Sequence, residues 1–377
     1  MLSFWEQQSF LKYDYIIVGS GIVGLSAALS IRERNETASI LILERGILPT
    51  GASTKNAGFA CIGSLTEIIE DLKTLTEKEV VELVALRLKG LQLLRKRLGD
   101  ATIDYREEGS YELISEDEAH YLLELERINR LLFPVLNKNA YTLVDEKIVD
   151  FNFDKKQAKH LIQNNLEGQL DTGKMMKALI SMALSRNIEI KTGATVSSFV
   201  ERENEVNVSV ENVSNNDCIQ FICKKLIICT NAFSSKLLSN LDLQPGRGQV
   251  LITKPIPNLK VKGIFHFDKG YYYFRNFEDR VLFGGGRNLD FQKESSTDFE
   301  YNETILEDLK HKLKHLILPE TPFEIDQSWV GIMAFGTTKF PIIKKHSDLV
   351  IIGVRMGGMG VAIGSQAGEL LADIAYK

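Results

Sequence analysis

Cysteine is scarce in this chain: four in 377 residues, at Cys61, Cys218, Cys223 and Cys229. That excludes a disulfide scaffold, which needs far denser pairing. Cys223 and Cys229 lie in the strand-like run "FICKKLIICT" and read as small core hydrophobes. The six histidines show no zinc spacing. His311 and His315 stand four apart on a predicted helix but lack the glutamate of a His-Glu-x-x-His pair, so no metal site is expected. Charge of one sign is lacking too. The net charge is -5, and the basic run "LKHKLKHL" is short and helical, a solvated face. Nothing here makes an electrostatic footprint for nucleic acid. Long apolar runs are missing: the longest, Tyr15 to Ile31, is interrupted by glycine and serine and is too short for a membrane span. Glu6 and Asp14 sit where a signal peptide would be uncharged, which points to a cytoplasmic protein. No internal repeat or low-complexity tract appears. With 44% apolar residues the chain builds a sizeable core, and its length suggests roughly two or three structural units.

What the chain does have is glycine, concentrated in two distant loops. The first is "VGSGIVG", Val18 to Gly24. Residues 15–18 before it are aromatic and β-branched, hence strand-forming. Gly19 permits the sharp turn, Gly21 admits a pyrophosphate to the backbone, and Gly24 lets the following helix lie close to the sheet. Ala28 extends that small-residue face by one turn. The helix N-terminus then presents unpaired N–H groups to phosphate. A second strand, "SILILE", ends at Glu44, about twenty residues on, where a carboxylate accepts hydrogen bonds from a ribose diol. This is a dinucleotide-binding unit. The second loop is "GVRMGGMGVAIG", Gly353 to Gly364, which leads into the helical "SQAGELLADIAYK".

The segment after the first unit, "RGILPTGASTKNAGFACIG", is polar and rich in small residues. It leads to a helix that Ser64 and Glu67 cap. "YDYIIVGSGIVGLSAALSI", "LILERG" and "GASTKNAGFA" resemble the N-terminal part of the D-amino-acid oxidase-like superfamily of FAD-dependent oxidoreductases, which includes glycine, sarcosine and γ-glutamylputrescine oxidases. Further similarities follow in order along nearly the whole chain: "GQLDTGKMMKALISMALSRNIEIKTGATVSSF", "KLIICTNAFSSKLL", "PGRGQV" and "YYYFRNFEDRVLFGGGRN".

The resemblance implies a mixed α/β architecture, with an FAD-binding Rossmann-like domain and a second, mostly antiparallel β-sheet substrate domain. The first would be discontinuous, over 12–90, 168–242 and 335–377, and the second would take 100–165 and 243–334. It also implies the cofactor contacts. At the nucleotide end these are Gly19, Ser20, Gly21, Ile22, Val23, Gly24, Glu44 and Arg45. The polar segment contributes Ala52, Ser53, Thr54, Asn56, Ala57 and Gly58. Val196, Thr230 and Asn231 complete that side. Gly357, Gly358, Met359 and Gly360 lie at the flavin ring, where backbone N–H groups and the following helix dipole favour the charge that develops on reduction. Some relatives attach flavin covalently through a Cys in the C-terminal third or a His after the first βαβ unit. This chain has no Cys after Cys229 and no His between Lys55 and Gly63, so non-covalent FAD is expected.

The activity implied is oxidation of a C–N bond in an amino acid or amine. A hydride passes to flavin N5, the imine hydrolyses, and O2 or another acceptor reoxidises the flavin. Such chemistry needs placement and desolvation of the substrate rather than an acid/base pair. Candidate positioning residues are Tyr271, Tyr273 and Arg275, which alternation puts on one strand face, with His266 nearby. Arg355, inside the second glycine loop, is another. Many amino-acid oxidases of the family grip the substrate carboxylate through Arg in Trp-x-Gly-x-Arg-Pro. Here Trp329 and Gly331 match, but Met333 stands at the arginine position. Either Arg275 or Arg355 takes that role, or the substrate is an amine without a nearby carboxylate. Two other readings stay open: a flavin dehydrogenase of 2-hydroxy acids passing electrons to a quinone, and a non-enzymatic dinucleotide-binding protein.

The helix over about 77–98, apolar at Val80, Val81, Val84, Leu88, Leu91 and Leu94, stops at Gly99 and serves as core packing. A second helical stretch opens at Ser115 with Glu118. The arm "MLSFWEQQSFLK" forms a short helix capped by Ser3 and Glu6 and docks on this chain or a neighbour.

Overall fold

The computed structural model describes residues 2–212 and 217–376. Its first large sheet is centred on Lys12–Val18, which pairs in parallel with Ile40–Leu43 on one side and Asp217–Ile228 on the other. Glu189–Lys191 extends the first side in parallel, and Val350–Val354 extends the second. Ile342–Lys345 closes that edge antiparallel. Every residue of Ile40–Leu43 and of Val350–Val354 is buried. That is the signature of parallel strands covered on both faces, and it explains why these segments read as unbroken apolar runs. An antiparallel hairpin, Val196–Glu201 and Val206–Asn212, hangs from the long strand Asp217–Ile228. In it Val206, Val208 and Val210 are buried in alternation.

The second large sheet runs Ile325–Phe335, Gln244–Thr253, Arg280–Gly285, Tyr272–Phe277, Ile264–Phe267, Ser110–Ile114, His160–Asn164 and Tyr141–Leu143. All pairs are antiparallel except Ile264–Phe267 with Ser110–Ile114. One face carries an aromatic core. Phe265 and Phe274 stack at 4.6 Å, and Phe267 stacks on Tyr272 at 4.9 Å. The opposite alternation turns Tyr273 away from that core and toward the first sheet's loops.

Three helices explain how the two glycine loops meet. Ile22–Arg34 is buried along ten consecutive residues, Ile22 to Ile31. The C-terminal helix Gly360–Tyr376 packs on it so closely that a Cβ on Gly364 would lie 2.5 Å from Ile22 Cγ2, and one on Gly368 would lie 2.5 Å from Ala27 N. The long helix Glu77–Leu98 presses on the same C-terminal helix, where a Cβ on Gly90 would meet Ala362 O at 2.0 Å. Its buried face is Val80, Leu83, Val84, Arg87, Gly90, Leu91, Leu94 and Leu98, and Gly99 ends it with φ 78°. Val81 and Leu88 are only partly buried, so the stripe is rotated slightly from the apolar positions. The Ser64/Glu67 and Ser3/Glu6 capping boxes form. The stretch opened by Ser115 begins instead as a 3₁₀ helix, Glu116–Glu124, before the α-helix Leu125–Leu136. In the N-terminal arm Phe4, Trp5 and Phe10 remain exposed. Among the described residues no helix is long and apolar enough to cross a membrane.

Candidate active site

A single cavity of about 670 Å³ runs from the first glycine loop, under the second, to the antiparallel sheet. At one end Gly19 turns with φ +104°, and a Cβ there would sit 2.9 Å from Cys229 O. A Cβ on Gly24 would lie 2.0 Å from Gly19 O, so the turn and the helix behind it admit only glycine. Ile22 N donates to Ser53 Oγ at 3.0 Å, which joins the polar segment to the helix N-terminus. Glu44, 7% exposed, accepts from Ser20 N at 3.1 Å, Ser20 Oγ at 2.7 Å and Gly46 N at 3.0 Å. The Arg45 guanidinium lies 3.7 Å over the Phe233 ring.

The middle of the cavity is bounded by the segment Gly51 to Gly58. Asn56 holds it: Nδ2 donates to Ser53 O at 2.8 Å, and Oδ1 accepts from Gly58 N at 2.9 Å and Thr172 Oγ1 at 2.8 Å. Trp329 Nε1 donates to Lys55 O at 3.0 Å, so the tryptophan of the Trp-x-Gly pattern pins this loop to the antiparallel sheet. Facing it is the second glycine loop. Gly357 and Gly358 have φ of +58° and +82°, and Gly357 N donates to Ala334 O at 3.1 Å.

Most cofactor contacts expected from the sequence line this one cavity. At the nucleotide end these are Gly19, Gly21, Ile22, Val23, Glu44 and Arg45. The polar segment gives Ala52, Ser53, Asn56 and Ala57, and the sheet side gives Val196, Thr230 and Asn231. Gly357 to Gly360 lie at the other end. Ser20, Gly24, Thr54 and Gly58 do not line it. Ser20 instead binds Glu44, Thr54 Oγ1 donates to Pro49 O at 2.8 Å, and Gly58 packs on Leu170 O. A glycine cradle at a helix N-terminus, with a buried carboxylate at the end of the next strand, suits the pyrophosphate and ribose of FAD.

Tyr271 and Tyr273 line the far end. Burial pushes the Tyr273 phenol up to about 12, so it stays neutral. Phe59 packs edge-on to both Tyr273 and His266. The structure does not bring Arg275 or Arg355 to the cavity. Arg275 is 4% exposed beneath Gly58, and burial lowers its pKa to about 10. Its Nη1 donates to Gln169 Oε1 at 3.3 Å. Arg355, with φ +64°, turns its guanidinium onto Asp242, Phe340 O and Thr338 Oγ1. Neither supplies the charge missing at Met333.

Sequence reasoning missed a polar group beside the tyrosines. Asp71 is 3% exposed, and Lys339 Nζ lies 2.5 Å from its Oδ1. Burial raises the Asp71 pKa despite that lysine. Burial also acts upward on Glu67, but Lys339, His266 and Arg87 outweigh it and leave Glu67 below the usual carboxylate range. Cys61 Sγ lies 3.5 Å from His266 Nε2, and Glu167 is close enough that the three ligand atoms fall within 4.8 Å. Glu167 already accepts from Ile62 N, Gly63 N and Ser110 Oγ, and burial pushes the Cys61 thiol well up. The group is a hydrogen-bonded polar cluster in the cavity floor, with Cys61 and His266 at the lining and Glu167 behind them. Its members come from segments that no spacing rule connects. A half-buried arginine at the cavity wall, Arg287, was also not anticipated.

A sequence pattern described as FAD dependent oxidoreductase matches residues 14–374. The chain belongs to this family. It is 22% identical to glycine oxidase of Geobacillus kaustophilus over 97% of this chain and 93% of the relative. It is 20% identical to the probable oxidoreductase OrdL of Haemophilus influenzae, over 96% and 82% respectively. The crystal structure of the Geobacillus glycine oxidase superposes with TM-score 0.78, at 20% identity over 97% of this chain and 95% of that one. An L-proline dehydrogenase from P. horikoshii follows at TM-score 0.76 and 17% identity, over 96% and 93%. The protein is an FAD-dependent oxidoreductase with the mixed α/β fold of these enzymes.

Proposed function

We propose that this enzyme oxidises the C–N bond of an amino acid or small amine. The observation that carries the reading is the single cavity, which joins a dinucleotide cradle to an aromatic chamber walled by Tyr271, Tyr273, Phe59 and Met333. FAD held by the glycine cradle and the segment Gly51 to Gly58 would supply a two-electron acceptor for the substrate's hydride. The amine's carbon loses that hydride, its nitrogen loses a proton, and water converts the imine to a carbonyl compound and ammonia or a shorter amine. The chain's contribution is placement. Tyr273, Phe59 and Met333 exclude water from the carbon that reacts. The Trp329 bond to Lys55 O fixes the loop that separates cofactor from chamber. The loop Gly357 to Gly360 lines the end of the cavity where charge would develop, and the dipole of helix Gly360–Tyr376 favours that charge.

The neighbours named as amino-acid oxidising enzymes, glycine oxidase and L-proline dehydrogenase, support the reaction class. The test is an anaerobic visible spectrum of the FAD-loaded protein, titrated with glycine, sarcosine, D-amino acids, L-proline, putrescine derivatives and 2-hydroxyglutarate. Bleaching of the oxidised flavin band by an amine is expected. Bleaching by the hydroxy acid alone would end this reading.

A further inference from the structure

We infer that Arg287 is the residue that recognises an anionic group of the substrate, replacing, from the turn after the strand two places away in the same sheet, the guanidinium absent at Met333. The inference rests on the amine-oxidation reading and adds to it a carboxylate-bearing substrate. Arg287 follows directly after the strand Arg280–Gly285 and the left-handed Gly286. Its side chain lies across the adjacent strand at Gly246, where a Cβ would come 2.8 Å from Arg287 Nη1. Gly246 is the register partner of Met333 across the sheet. Directly opposed residues of an antiparallel pair project to the same face. The Arg287 guanidinium therefore occupies the face onto which residue 333 projects. Met333 itself swings across Gly248, with Cε 2.8 Å from where a Cβ would be, and Tyr273 Oη 4.0 Å from that point. Two glycines thus clear one face for two side chains, and both line the cavity.

Among the described residues the Arg287 guanidinium has no hydrogen bond or ion pair. Its contacts are the Phe335 ring, 4.0 Å from Cζ to centroid, and the Phe291 ring at 4.9 Å. Glu294, the acid in its vicinity, is taken up by Arg247, with Nη2 at 2.9 Å, and by Asn302. Of the other cavity cations, Lys339 is paired with Asp71 and Lys236 and Lys269 are exposed, while Arg45 lies on Phe233 at the nucleotide end and Lys55 Nζ lies 5.5 Å over the Phe299 ring; Arg287 is the one on the face shared with Met333. A guanidinium packed on aromatic rings rather than on an acid keeps its N–H fork for a planar anion. An unpaired, partly desolvated arginine is costly unless it serves binding.

The FAD-loaded protein should be titrated with benzoate and, separately, with uncharged benzamide, by calorimetry and by the flavin difference spectrum. Benzoate is expected to bind, and benzamide to bind at least tenfold more weakly. Arg287→Met is expected to weaken benzoate on the order of tenfold to a hundredfold while leaving benzamide unchanged. Arg287→Lys, which keeps charge and most of the volume, should retain an intermediate preference even if the methionine variant folds poorly. Flavin content and thermal melting of each variant separate binding loss from unfolding. Equal affinity for benzoate and benzamide in the wild type, no binding of either, an unchanged ratio in a folded Arg287→Met or, where that variant is unfolded, an unchanged ratio in Arg287→Lys would overturn the assignment. Amine oxidation is judged separately by flavin bleaching. An enzyme that bleaches with amines yet ignores benzoate loses Arg287 and keeps the reaction; one that bleaches only with a hydroxy acid loses the reaction, whatever the benzoate ratio says.

Discussion

Ser26 Oγ and Ser365 Oγ lie 3.3 Å apart, both fully buried, where the helix behind the first glycine loop crosses the helix behind the second. This crossing, rather than either loop alone, sets the distance between the phosphate end and the flavin end of the site. Gly368 makes it possible by lying against the Ser26–Ala27 backbone, and Gly364 by admitting the Ile22 side chain.

Replacing Gly368 with alanine puts a methyl group 2.5 Å from Ala27 N, with backbone rather than a flexible side chain in the way. Overpacking of this kind costs about 1–3 kcal/mol. The variant should melt earlier and retain less FAD through gel filtration. A melting curve and a flavin-to-protein ratio both equal to the wild type would show that the two loops are positioned by something else.

Arg355 belongs to the scaffold of the second loop. Its side chain is buried and braces Asp242, Phe340 O and Thr338. Arg355→Leu should cost about 2 kcal/mol, the value of hydrogen bonds to a charged group. Denaturant unfolding measures this. The variant's preference for benzoate over benzamide should stay at the wild-type ratio; a collapse of that ratio would make Arg355 a substrate residue after all.

Glu112 is fully enclosed and bonded to Ser64 and Thr66. Burial raises its pKa to about 7, from an ordinary 4.5. In the folded protein it therefore holds its proton between those values, where the unfolded chain has released it. The folded state binds more protons across that window, so this group's contribution is complete below pH 4.5 and is lost as pH rises through about 7. Glu112→Gln removes the titration. The difference in stability between variant and wild type should shift in favour of the variant by up to ~3 kcal/mol from pH 4.5 to 8. Parallel stability curves for the two proteins over that range would contradict it.

Acid precipitation should release the yellow colour into the supernatant, because the sequence offers neither attachment point used by covalent relatives. Colour retained in the pellet would require a bond to the chain, and the cavity-lining Cys61 and Cys229 would be the first positions to examine by peptide mapping.

Features that depend on local spacing were readable before the structure. The Gly19-x-Gly21-x-x-Gly24 turn, the capping boxes at Ser3 and Ser64 and the Gly99 stop all follow from neighbours within a few residues. Arg287 was hidden because its meaning depends on which residue Gly246 faces across the sheet, a matter of register that no single segment carries. Arg355 misled because a charged residue inside a glycine loop looks available. In fact it adopts φ +64° and turns its side chain away from the cavity. The group Cys61, Glu167 and His266 draws on three separate elements.

The threading of the first sheet also has a consequence for biosynthesis. Lys12–Val18 leaves the ribosome some two hundred residues before its partner Asp217–Ile228, and Val350–Val354 follows later still. At about 5–20 residues per second, the nascent first strand spends many seconds with one edge unpaired. Such an edge is a template for association with other chains. Holding chaperones during synthesis, and free FAD at the moment of release, should therefore govern the yield of active protein more than any feature of the finished cavity does.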